Sequence, residues 1–134
     1  MKVGFDMSEH ITPIRADKAP AALGPYSAGM AFGKLLFLSG QTPIVPETGL
    51  VVEGGIREQT LQVIANLGAV LEAAGSGFDQ VIKTTCFLTD MAYFADFNEV
   101  YGRYFTGKPA RSTVAVKGLP KGAVVEIELI AVKG

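Results

Sequence analysis

Cysteine and histidine are scarce in this chain of 134 residues, which contains one of each. The single cysteine, Cys86, cannot form an internal bridge, so a disulfide-stapled secreted scaffold is excluded. The single histidine, His10, argues against a dedicated zinc site, because zinc is bound mostly by cysteine and histidine. The glycines match no nucleotide-phosphate loop, and no serine has the context of a hydrolase nucleophile. We therefore expect neither a metal ion nor another cofactor.

Charge is also low, and it is balanced. Charged residues make up 19% of the chain, against about 25% in an average protein. The formal net charge is -1, whereas a nucleic-acid-binding module usually carries a basic surplus, so the balance does not favour a nucleic-acid partner. Hydrophobic residues reach 49%, and a small charge-poor domain is expected to cover apolar surface with copies of itself. We predict a homo-oligomer; a neutral surface rich in glycine and alanine is the alternative.

Long hydrophobic runs are absent as well. No apolar stretch approaches the ~18 residues that a membrane-spanning helix needs. The first ten residues include Asp6 and Glu9, where a signal peptide requires a continuous apolar segment. We therefore expect a cytoplasmic protein that does not associate with membranes.

The sequence does contain patterns of short strands and two amphipathic helices. The length of the chain is typical of one domain, which we place at residues 1–134. Prolines near the start indicate an extended N-terminal arm, which we place at residues 1–18. The periodicity then predicts a hairpin at 28–39, a helix at 56–74, a strand at 81–89, a helix at 93–105, and strands at 112–116 and 124–132. The order β-β-α-β-α-β-β predicts an α+β domain with a single mixed sheet and two helices on one face. A second copy of the chain is the simplest cover for the other face.

Two glutamates share one face of the last predicted strand. Strand side chains alternate between faces. Glu126 and Glu128 therefore lie on the face opposite that of the aliphatic residues Val125, Ile127, Leu129 and Ala131. Ile130 and Val132 follow on the same face as the glutamates, which suggests a surface that is neither plain solvent nor plain core. The alternative is a pair of solvated charges on an exposed strand.

Arg111 stands just before the strand predicted at 112–116. Its planar guanidinium can hold a carboxylate through two parallel hydrogen bonds. The alternatives are an ordinary surface arginine or a structural ion pair with Glu126 or Glu128.

Tyr26 and the segment Ser39-Gly40 complete the candidate residues. Tyr26 follows Gly24-Pro25, which places its hydroxyl on a rigid turn, unless the ring is a core aromatic with its hydroxyl at the rim. A glycine at the end of a strand allows a ligand to approach the backbone closely. Together with Arg111 and an acid, these residues could bind a small carboxylate and place a water beside it.

The C-terminal part of the chain resembles a known family. The segment PARSTVAVKGL at 109–119, followed by Val125-Glu126-Ile127, is similar to the signature of the Rid/YjgF family, the reactive-intermediate (enamine/imine) deaminases. Further segments resemble family members in the expected order, at residues 19–27, 38–41, 71–75 and 81–85. The resemblance implies a chorismate-mutase-like α+β fold and a homotrimer with ligand clefts between neighbouring subunits. It also implies a 2-iminobutanoate/2-iminopropanoate deaminase, which hydrolyses small 2-imino acids to 2-oxo acids and ammonia.

The same resemblance implies roles for individual residues. Arg111 would grip the substrate carboxylate, Glu126 would orient or deprotonate the attacking water, and Tyr26 would line the cleft. Contacts to the substrate would come from Ser39, Gly40, Asn98 and Thr113. Many members carry cysteine where this chain has Thr113, so no reactivity credited to that thiol applies here.

Two further expectations follow from the chemistry that the resemblance implies. A cationic Arg111 beside Glu126 is expected to keep that carboxylate ionised, as a base must be. A protonated imine is already a strong electrophile, so its hydrolysis requires no metal. The alternatives to the deaminase are an endoribonuclease or translation inhibitor, a label that some members carry, and a non-enzymatic trimer that binds small carboxylates.

Overall fold

Within residues 10–134, six strands form one sheet, and two α-helices pack on one of its faces. The computed structural model describes residues 10–134. In chain order the elements are β1 (Ile11–Ile14), β2 (Gly29–Phe32), β3 (Leu35–Gln41), α1 (Ile56–Ala73), β4 (Val81–Leu88), α2 (Phe94–Tyr104), β5 (Ala110–Ala115) and β6 (Val125–Val132). The strand order is β1-β2-β3-β6-β4-β5, with β4 and β5 parallel and every other pair antiparallel. The predicted α+β class, the single mixed sheet and both helices are confirmed.

The structure adds one strand to the predicted order, inside the segment predicted as an arm. Strand β1 pairs with β2 at the edge of the sheet, and it buries Ile14 opposite Gly29. Pro13 gave no strand signal, but an edge strand tolerates proline because one side of its backbone makes no ladder hydrogen bonds. Residues 1–9 of the predicted arm lie outside the described part of the chain.

Glycines form the β2–β3 turn and the cap at the end of α1. Gly33, in the β2–β3 hairpin, has a φ of 61°. Gly75 ends α1 with a φ of 76°, and its N–H donates to the carbonyl of Glu72 while the N–H of Ser76 donates to that of Leu71. This pair of bonds satisfies carbonyls that the end of a helix leaves open.

The core lies between the helices and the sheet. It contains Val63, Leu67, Val70 and Leu71 of α1, Phe97 and Val100 of α2, and Val125, Ile127 and Leu129 of β6. The opposite face of the sheet is partly apolar and exposed. Its side chains include Ile11, Phe32, Leu35, Phe37 and Val114, which are 39–69% exposed. No helix in residues 10–134 has the length and apolar character needed to cross a membrane. The cytoplasmic location stays a prediction.

Candidate functional site

Arg111 lies on β5, on the side of the sheet that the helices cover. Its neighbour in register on β4 is Thr84, which is fully buried. The centre of its guanidinium is 4.8 Å from the ring centroid of Tyr101. It lies 5.5 Å from the centroid of Phe94 and 5.9 Å from that of Phe97. Since aromatic ring faces attract cations, α2 provides a wall of three rings for this charge.

Within residues 10–134, Arg111 also makes a hydrogen bond to Asn98. Its Nη1 donates a hydrogen bond of 2.8 Å to the side-chain oxygen of Asn98, one helical turn beyond Phe94. Among residues 10–134, the ion pairs are made by Arg57 and Arg103 rather than by Arg111. The alternative interpretation, an ion pair between Arg111 and Glu126 or Glu128, is therefore wrong within one chain. The guanidinium retains N–H groups that can hold a carboxylate.

Thr113 lies two residues beyond Arg111 on the same face of β5. Its neighbour in register is Cys86, and burial raises the pKa of that thiol, as expected for an unreactive core cysteine. The Thr113 hydroxyl oxygen is buried and has no hydrogen-bond partner within residues 10–134. Because a buried hydroxyl without a partner costs free energy, a ligand that reached it from the Arg111 side would gain a hydrogen bond.

Glu126 lies on the opposite face of the sheet, next to Gly40. It stands between Val125 and Ile127, which are fully buried on the helix side. The pairing of β3 with β6 is irregular between Leu38 and Gln41. A Cβ at Gly40 would lie 2.8 Å from the carboxyl carbon of Glu126, closer than such atoms approach. Glycine at this position therefore lets the carboxylate lie against the backbone of β3.

Tyr26 precedes β2, and Ser39 directly precedes Gly40 on β3. Tyr26 is half exposed, and its hydroxyl oxygen accepts a hydrogen bond of 3.1 Å from the N–H of Leu23. Its ring and Gly40 line a small cavity of about 30 Å³. The Ser39 hydroxyl donates to the carbonyl of Ser27 at 2.6 Å, so its proton is engaged while its oxygen can still accept.

The predicted site residues thus form two groups in one chain. We call Asn98, Arg111 and Thr113 the arginine cluster, and Tyr26, Ser39, Gly40 and Glu126 the glutamate cluster. Strand β4 lies between β5, which carries Arg111, and β6, which carries Glu126. The axes of β5 and β6 are therefore about 9–10 Å apart. The side chains of Arg111 and Glu126 leave opposite faces of the sheet, and one chain does not bring them together.

This separation changes the electrostatics expected of Glu126. Burial raises its pKa, and the neighbouring carboxylate of Glu128 raises it further. Arg111 is not among the causes of the shift. The expectation that Arg111 keeps Glu126 ionised is therefore not met within one chain.

The aromatic wall of Arg111 was missed from the sequence. Phe94, Phe97 and Tyr101 stand at helical spacing in the sequence, and all three lie on one side of α2. That spacing does not indicate which strand the rings cover. Within residues 10–134, no three His, Cys, Asp or Glu side chains gather in a way that could hold a metal ion.

Known proteins match the chain over most of its length. A family model described as Endoribonuclease L-PSP matches residues 16–133. The 2-iminobutanoate/2-iminopropanoate deaminase of Mus musculus is 47% identical over 122 residues, covering 90% of this chain and 90% of that protein. The crystal structure of RidA from an Antarctic Psychrobacter has a TM-score of 0.87 at 43% identity, covering 90% of this chain and 98% of its own. That of E. coli TdcF with bound serine has a TM-score of 0.86 at 39% identity, covering 92% and 99%.

Proposed function

Because the chain belongs to the Rid/YjgF family, which the Endoribonuclease L-PSP model describes, we propose that it is an imine deaminase. The proposed reaction is that of a 2-iminobutanoate/2-iminopropanoate deaminase, in which water converts a 2-imino acid into a 2-oxo acid and ammonia. We further propose that the protein works as a homotrimer, with each cleft formed between neighbouring chains.

The observation that carries this proposal is the environment of Arg111. The guanidinium rests on the rings of α2 and on the amide of Asn98, and no acid within residues 10–134 neutralises it. A buried arginine is usually paired with a carboxylate, because an unpaired buried charge costs free energy. A half-buried guanidinium with free N–H groups is instead suited to a carboxylate that arrives with a ligand.

The separation of the two clusters supports a shared cleft. Arg111 and Glu126 lie on opposite faces of one sheet. A substrate bound to Arg111 of one chain can therefore contact only the Glu126 of another chain. An interface that joins unlike surfaces closes into a ring when its rotation permits. The exposed apolar side chains on the face of Glu126, among them Phe37 and Leu35, provide surface for such an interface.

The proposed chemistry uses only groups present in the two clusters. Arg111 holds the carboxylate of a protonated 2-imino acid, which fixes the orientation of the C=N carbon. The Glu126 carboxylate accepts a proton from water as the water oxygen bonds to that carbon, giving a tetrahedral amino alcohol. Glu126 then passes this proton to the nitrogen. The C–N bond breaks as Glu126 takes the remaining hydroxyl proton, so ammonia leaves and the 2-oxo acid forms; transfer of that proton to ammonia, as ammonium, restores the carboxylate. A positioned acid–base group typically contributes about 10²–10⁴-fold to such a step.

A coupled assay tests the proposal. A threonine dehydratase generates the imine, and its loss is followed with and without this protein. We expect acceleration by the wild type, background rates for Arg111→Ala, and a strong loss for Glu126→Gln. Arg103→Ala is the matched control, because Arg103 is an exposed arginine of α2 that pairs with Glu99. Arg111→Ala with the wild-type rate would contradict the proposal.

RNA cleavage is the alternative that the name of the family model raises. The same purified proteins are incubated with RNA. Cleavage by the wild type that is lost in Arg111→Ala would favour a ribonuclease at this site. Equal cleavage by both would indicate a contaminant.

A further inference from the structure

Tyr101 connects α2 to the strand beside Arg111. Its ring is buried, with 7% of the residue exposed. Its hydroxyl shares a hydrogen bond of 2.7 Å with the hydroxyl of Thr84, which is fully buried. Thr84 is the neighbour of Arg111 in the parallel register of β4 and β5. The far end of the Tyr101 ring is therefore tied to the same part of the sheet from which Arg111 projects.

Two further rings fix the orientation of Tyr101. Phe105 stacks on it, with centroids 4.3 Å apart and planes inclined by 21°. Phe97 packs at 5.5 Å with an inclination of 41°. A ring held by stacking and by its hydroxyl has little freedom to turn. It presents a fixed face to the guanidinium.

Arg111 depends on that face for its orientation. Tyr101 is the nearest of the three rings that contact the guanidinium, at 4.8 Å. The hydrogen bond to Asn98 that Arg111 makes in the described part of the chain fixes a single nitrogen and leaves rotation about that contact open. Contact with a planar face removes this freedom, because a guanidinium prefers to lie over a ring. A ring also leaves the positive charge unneutralised, whereas a carboxylate in the same place would compete with a ligand.

We infer that Tyr101 is a positioning residue, whose ring face, anchored on Thr84, holds the guanidinium of Arg111 in the plane that a substrate carboxylate requires. The inference rests on the proposed function, since it concerns the same arginine. Burial also raises the pKa of Tyr101, so the hydroxyl that anchors the ring stays protonated.

The experiment separates positioning from folding by resolving KM and kcat in the coupled assay. Tyr101→Leu removes the ring face and is expected to raise KM about tenfold, with kcat within about threefold of wild type. Tyr101→Phe keeps the face but loses the anchor on Thr84, so its KM should lie between those of wild type and Tyr101→Leu. Tyr104→Leu, an exposed tyrosine of the same helix, is the matched control and should leave both constants unchanged. A merely structural role would lower kcat through loss of folded protein and leave KM as it was.

Two outcomes would overturn the inference. One is a folded Tyr101→Leu with KM within about twofold of wild type, and the other is a fall in kcat alone. If Tyr101→Leu does not fold, the nearly isosteric double variant Tyr101→Phe/Thr84→Val decides. It removes the anchor, together with the 3.8 Å hydrogen bond that the Cys86 thiol donates to Thr84, and it should raise KM about threefold; an unchanged KM overturns the inference.

Failure of the proposed function itself has a different signature. In that case the wild type would not accelerate imine loss at all. Calorimetric titration with 2-oxobutanoate, the expected product, then measures the Arg111 site directly. The inference predicts weaker binding by Tyr101→Leu than by wild type; equal binding by the two overturns it.

Discussion

Arg111 and Glu126 can be disabled in different chains, which turns their separation across the sheet into a quantitative experiment. Arg111→Ala and Glu126→Gln are co-expressed in equal amounts with different tags, and assemblies that carry both tags confirm mixing. A working cleft then needs an intact Arg111 from one chain and an intact Glu126 from its neighbour. Each condition holds for about half of the chains, so about one quarter of the clefts across the whole population should be intact.

The control mixes wild type with the double variant Arg111→Ala/Glu126→Gln in equal amounts. A cleft between chains then again survives in about one quarter of cases, because both neighbours must be wild type. A site contained in one chain would instead give about one half in this control and no recovery in the first mixture. Imine loss in the coupled assay, normalised to wild type, distinguishes the two. Background activity in verified mixed assemblies of the two single variants would refute the shared cleft.

Three further predictions concern the glutamate cluster and the end of α1. Because Glu128 and burial both raise the pKa of Glu126, kcat/KM should be lost as pH falls through a midpoint above the usual glutamate value. Glu128→Gln should move that midpoint to lower pH, and an unmoved pH profile would contradict the assignment. Gly40→Ala should displace the Glu126 carboxylate and lower kcat about 100-fold. Gly118→Ala is the control, because its Cβ would meet no atom of the described residues within 4 Å, and it should have no effect. Equal rates for the two variants would be inconsistent with a close approach of Glu126 to the backbone at Gly40. Gly75→Ala forces a left-handed alanine, so urea unfolding should show a loss of about 1 kcal/mol; unchanged stability would contradict that cost.

Local periodicity was enough to predict the helices and most strands. The apolar spacing of α1 is a short-range signal. The glycine that follows the end of the helix, Gly75, is another, and it forms the cap. Alternation along β6 also placed Glu126 opposite its buried neighbours correctly. Strand β1 escaped prediction because four residues that include Pro13 carry too little pattern, and its pairing with β2 is a tertiary contact.

The relation between the two clusters depends on register, which one sequence does not contain. Whether Arg111 shares a face with Glu126 is set by the pairing of β5 with β4 and of β4 with β6. A shift of one residue in either pairing would reverse the answer. The contact of Arg111 with Tyr101 depends in the same way on where α2 settles on the sheet.

The position of Glu126 and Arg111 on opposite faces has a consequence for how such a protein responds to concentration. If the reaction needs both residues in one cleft, a dissociated chain is inactive. Specific activity should then fall on dilution to concentrations at which the oligomer dissociates. A substitution on the exposed apolar face of the sheet, at Phe37 for example, would then lower turnover by weakening self-association. Under the proposed mechanism, catalysis and self-association would respond to the same equilibrium.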